Sequence, residues 1–121
     1  MPDLPAASPE TVLRIRAELH ELAQLLRAAG HLEPDAQRTL ADLLDELRDE
    51  LDPAALHSDQ AAHLAQTVAG LARALHEPQQ TGPLVAMRDR LDDAVGRADA
   101  EAPVIVGVAR RVLDALGNMG I

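Results

Sequence analysis

The sequence predicts an all-α protein, a bundle of four to five helices formed from antiparallel helical hairpins with coiled-coil-like seams. The prolines fall where helices can begin or end. Between them, leucine, valine and alanine recur at alternating steps of three and four residues, which is the period of one helix face. No segment alternates apolar and polar residues over the length of a strand, and no internal repeat is evident.

The first helix is expected to start with Ser8 as N-cap and Pro9 in the first helical position, where a missing N–H costs nothing. Val12, Ile15, Leu19, Leu22, Leu26 and Ala29 form its seam, the clearest heptad in the chain, with Leu13 and Leu25 broadening it. Gly30 is expected to close it as a left-handed cap, and the short loop to Pro34 makes the next helix an antiparallel neighbour. There Leu40, Leu44, Leu47 and Leu51 form the buried stripe, widened by Leu43, until Asp52 and Pro53 stop it. The third helix starts at Pro53 or at Ser58, and Ser58 is favoured, with Pro53 to His57 as a helical turn and Ala61, Leu64, Val68, Leu71 and Leu75 inward. Pro78 ends that helix.

The 78–83 segment reads as a linker between hairpins, and residues 1–7 as a flexible N-terminus. Pro83 opens a fourth helix with Leu84, Met87, Leu91, Ala94, Val95 and Ala98 opposite Arg88, Asp89, Asp92, Asp93 and Arg97. After the break at Pro103, a last helix runs from Val104 to Leu116 with Gly117 as its cap.

Composition narrows function by exclusion. A chain of this length buries roughly two thirds of its unfolded surface, enough for one self-sufficient domain over residues 1–121. The net charge of -9 argues against nucleic acid, whose binding needs Lys or Arg to replace counterions, and the absence of aromatics removes stacking platforms. All eleven basic residues are arginine. Without cysteine there is no disulfide or thiolate chemistry. The sequence shows no secretory signal and no run of ~20 apolar residues, so a soluble, cytoplasmic protein with no membrane role is expected.

The stretch from Leu84 to Ile121, with Arg97-Ala98-Asp99-Ala100-Glu101-Ala102-Pro103 at its break and Leu113-Asp114-Ala115-Leu116-Gly117-Asn118-Met119-Gly120-Ile121 at its end, resembles the C-terminal half of a small bacterial family, domain of unknown function 4404. The first hairpin, Leu13 to Leu51, fits that family more loosely, and the helix around Leu64 to Leu75 reads as extra material. The resemblance implies a helical fold and no activity. Members carry an aromatic residue before the break and a histidine before the proline, places held here by Ala98 and Ala102.

Several constellations bear on chemistry. From Glu33 to Asp52 eight acids face Arg38 and Arg48, which concentrates -6 of the -9 on the second helix. Such a face suits a basic partner, a divalent cation or nucleic-acid mimicry, and equally a solvated helix side. His57, Asp59 and His63 gather in sequence, with Asp59 and His63 one turn apart, but zinc takes three or four such ligands. Ser8 and Ser58 sit as caps, not in a nucleophile elbow, so no enzyme and no cofactor are expected.

Two helices look sparsely charged. Between Ser58 and His76 the formal charges are Asp59 and Arg73, with Ala62, Ala69 and Gly70 on the side away from the leucine stripe. In the last helix Arg110, Arg111 and Asp114 fall within a ~100° arc at 100° per residue. The remainder is apolar, so this helix is either central to one chain or shared between chains, with Ile105, Val108, Val112, Leu116, Met119 and Ile121 as interface candidates. The expectation is therefore a non-enzymatic interaction or oligomerisation module that pairs with itself or with another helical protein. The alternatives are a ligand or metal binder using His57, Asp59 and His63 or the acidic helix, and an acidic antagonist of a basic or DNA-binding partner.

Overall fold

The computed structural model describes residues 6–7, 9–30, 32–52, 57–76 and 82–120. Within them the chain forms five helices, α1 (Pro9–Ala28), α2 (Pro34–Glu50), α3 (Asp59–His76), α4 (Gly82–Ala98) and α5 (Pro103–Asn118). Pro9, Pro34 and Pro103 each open their helix, where the fixed φ of proline is already helical. Ser58 caps α3, its Oγ accepting from the Ala61 N–H at 3.1 Å. The expected Ser8 cap, the Pro53–Leu56 part of the expected turn and most of the expected linker lie outside the described residues.

Helix ends depart from the expected glycine caps. Gly120, at φ 85°, is the one described glycine with positive φ, so neither Gly30 nor Gly117 is left-handed. Helix α5 continues through Gly117, and the Met119 N–H reaches back to the carbonyls of Ala115 and Leu116 at 3.2 and 3.0 Å. At the end of α1 a side chain supplies what a glycine would have. The Gln37 Nε2 lies 2.6 Å from the carbonyls of Leu26 and Arg27 and 2.9 Å from that of Ala29. The end of α2 is closed from the other direction, because Arg16 Nη1 donates to the carbonyls of Arg48 and Leu51 at 2.8 and 2.7 Å. Each helix of the hairpin thus caps the C-terminus of its partner, adding a side-chain donor to last-turn carbonyls, of which Leu26 and Arg48 also accept the Ala29 and Leu51 N–H groups.

Packing closes the helices into a ring in the order α1, α2, α5, α4, α3, with α5 also touching α3. Arg16 meets the end of α2 while Arg27 meets Asp42, so α1 and α2 run antiparallel. Glu18 pairs with Arg73, and the residues just before α1 and α3 pair with each other, so those two helices run the same way. One hydrophobic cluster draws on all five helices. On α3 the leucine stripe is buried, and so are Ala62, Ala65, Ala69 and Ala72 on the other flank. The small residues on that flank, Ala62 and Ala69 among them, permit close approach, and α3 lies between α1 and α4.

Two further expectations are corrected. Leu13 and Leu25 do not broaden the core seam: they are 53% and 37% exposed, because α2 and α3 cover the other side of α1. Ala6 and Ala7, expected in a flexible N-terminus, form a two-residue antiparallel pairing with Ser58 and His57. His57 is accordingly extended and does not belong to a helical turn. A pairing this short leaves no alternation to read, since strand patterning needs several residues.

Leu22→Ala should lower stability by about 2–5 kcal/mol in urea denaturation, as deletion of a packed leucine does, while exposed Gln24→Ala should leave it nearly unchanged. Gln37→Ala should cost about 1–3 kcal/mol, because it strips donors from half-buried carbonyls at the end of α1. Amide exchange accelerated in the last turn of α1 would localise that effect.

Candidate functional site: the groove between α3 and α4

The residues singled out in the sequence are dispersed by the fold. Ile105, Val108, Val112 and Leu116 are each at most 4% exposed and sit in the core of a single chain. The contact expected of them is made by α2, α3 and α4, three neighbours that together cover the wide apolar arc of α5. They are not surface available to a second chain in this fold. Met119 is half-buried and packs against the same core, and Ile121 lies outside the described residues. Asp59 and His63 are exposed one turn apart on α3, and among the described residues no third His, Asp or Glu completes a metal-binding group.

Three acids of α2, Asp42, Asp45 and Glu46, are paired with arginines of its neighbours. Arg27 on α1 bridges Asp42 at 3.0 Å and Asp45 at 2.7 Å. The hydrogen bonds that Arg27 donates to Asp45 and Asp42 push its pKa above the ordinary value. Arg48 pairs with Asp49 at 3.1 Å and also donates to His20 Nδ1 at 2.7 Å. From α5, Arg111 forks onto Glu46 through both terminal nitrogens, which likewise raises the arginine pKa. The ridge thus fastens α2 to α1 and α5, and its charge is partly answered inside the molecule.

An open concavity lies elsewhere, between α3 and α4. It encloses about 290 Å³ and is lined by His63, Gln66, Thr67 and Gly70 of α3 and by Met87 and Arg90 of α4. The four α3 positions follow steps of three, one and three, so they form one stripe about two turns long. Gly70 makes the depression, since a Cβ placed there would sit 3.4 Å from Met87 Cε. Thr67 turns its hydroxyl back onto the His63 carbonyl at 2.8 Å, which spends its polarity on the helix. What remains is an apolar floor of Gly70, Met87 and the Thr67 methyl, bordered by His63, Gln66 and Arg90.

Arg90 is distinctive on α4. Arg88 lies against Asp89 at 3.1 Å and Arg97 pairs with Asp93 at 2.9 Å, whereas Arg90 forms no ion pair among the described residues. Sequence reasoning noted His63, Gly70 and Met87 for other reasons and missed Gln66, Thr67 and Arg90. The available signal was the helical spacing of His63, Gln66, Thr67 and Gly70 on a face with no leucine.

The family model described as a domain of unknown function (DUF4404) matches residues 40–121, and the chain belongs to that family. The match takes in all of α3, so the helix around Leu64 to Leu75 is family material and not an addition. No curated protein and no solved structure matches the chain. Among the described residues no helix is long and apolar enough to cross a membrane.

Val108→Glu puts an unpaired charge where the side chain is 1% exposed, so it should unfold the chain, with loss of helical circular dichroism and a penalty on the order of 3–5 kcal/mol. A folded variant that merely changed from oligomer to monomer would instead place Val108 between chains.

Proposed function

We propose that the protein is a non-enzymatic helical interaction module that receives a segment of another protein in the groove between α3 and α4. One observation carries this reading: the groove combines an apolar floor with polar edges on two rigid helices, the arrangement by which helix pairs take up a further helix.

The test fills the groove at Gly70. Gly70→Ala and Gly96→Ala lie in helices without positive φ, and both should stabilise by about 0.5–1 kcal/mol, since the unfolded glycine has more freedom to lose. A photo-crosslinker at Gln66 should capture a discrete protein in the native host, and Gly70→Leu should abolish that capture while Gly96→Ala leaves it intact. Capture unaffected by Gly70→Leu would refute the reading.

A further inference from the structure

We propose that the segment taken up by this groove is a helix presenting a carboxylate to Arg90 and His63, one turn from a small apolar side chain laid on Gly70 and Met87. The inference rests on the interaction reading above and adds the chemistry of the partner.

The length of the site favours a helix. The α3 stripe from His63 to Gly70 spans about 10 Å at 1.5 Å per residue, which is two turns of a third helix laid along it. The low floor favours a small anchor, because Gly70 removes a side chain from one wall and Met87 is an adaptable thioether on the other. Charge supplies the rest. The chain carries -9 overall, yet this groove is bordered by an arginine without an ion pair among the described residues and by an exposed histidine. A guanidinium in that position offers a planar fork of donors that matches a carboxylate. Gln66 offers an amide at the same edge. The acidic surface elsewhere repels an acidic partner from other docking positions, so it confers orientation as well as contact.

The probe is a phage-displayed library of helix-biased 15-residue peptides, selected against the intact protein. Enriched peptides should carry Asp or Glu at a fixed position three or four residues from Ala, Val or Leu. They should bind the Arg90→Glu variant at least about tenfold more weakly, since reversal replaces attraction by repulsion. Changing the peptide acid to Lys should restore binding to Arg90→Glu. Peptides that are lost on Gly70→Leu but show no acidic preference and bind Arg90→Glu equally would overturn the carboxylate inference while leaving the groove as a docking site. Peptides indifferent to Gly70→Leu would overturn both. Sedimentation of the protein alone showing a dimer dissolved by Arg90→Glu would make a second copy the occupant and overturn the assignment to a separate partner. Circular dichroism of each variant confirms that the bundle is intact.

Discussion

A core without an aromatic ring has to find its contact area in the closeness of its helices. Alanine buries little surface, so a helix lined with it contributes only where a neighbouring backbone comes near. Helix α3 shows the consequence, with Ala61, Ala62, Ala65, Ala69 and Ala72 all buried beside Leu64, Val68, Leu71 and Leu75. It occupies the place where small residues on two flanks are most useful, between α1 and α4. The same constraint sends charge to the other helices, leaving Asp59 and Arg73 as the formal charges of α3, and it leaves a dent wherever even a methyl is missing, as at Gly70.

Arginine holds the rim of this packing together. Individual exposed ion pairs contribute little, typically about 0–1 kcal/mol. Their value here is positional, because Arg27 reaches two carboxylates of α2 and Arg111 reaches a third from the opposite neighbour. A planar guanidinium that bridges two groups fixes how far one helix slides along the next more tightly than a lysine ammonium does. Arg16 and Gln37 add to this by closing the carbonyls at opposite ends of the α1–α2 hairpin, where a longitudinal shift of one helix would undo both caps.

Much of this architecture was legible in the sequence, because leucine periodicity and proline placement report local geometry. The seams of α1 and α2, the Ser58 cap and the buried face of α4 follow directly from that pattern. Helix ends were less legible, since a glycine near a helix end can be left-handed or simply small, and Gln37 carries no local mark of the carbonyls it serves eight to eleven residues away. The apolar arc of α5 was readable, but whether another chain or three neighbours of its own cover it depends on ring closure, a non-local fact. The groove was readable only in part: the spacing from His63 to Gly70 lies on one helix, whereas Met87 and Arg90 arrive from another.

The reciprocal caps bear on where the family ends and the folding unit begins. The family match starts at Leu40, inside α2, so it excludes α1 and the Gln37 that closes it. Yet Val12, Ile15, Leu19, Leu22, Ala23 and Leu26 of α1 belong to the same hydrophobic cluster as the matched helices. Residues 40–121 by themselves would leave one side of α3 bare and the carbonyls at the end of α2 without their guanidinium. The stretch that the family model matches is therefore narrower than the hydrophobic cluster, which also draws on α1. From sequence outside that match, α1 supplies the matched helices with an apolar stripe against α3 and a guanidinium at the end of α2.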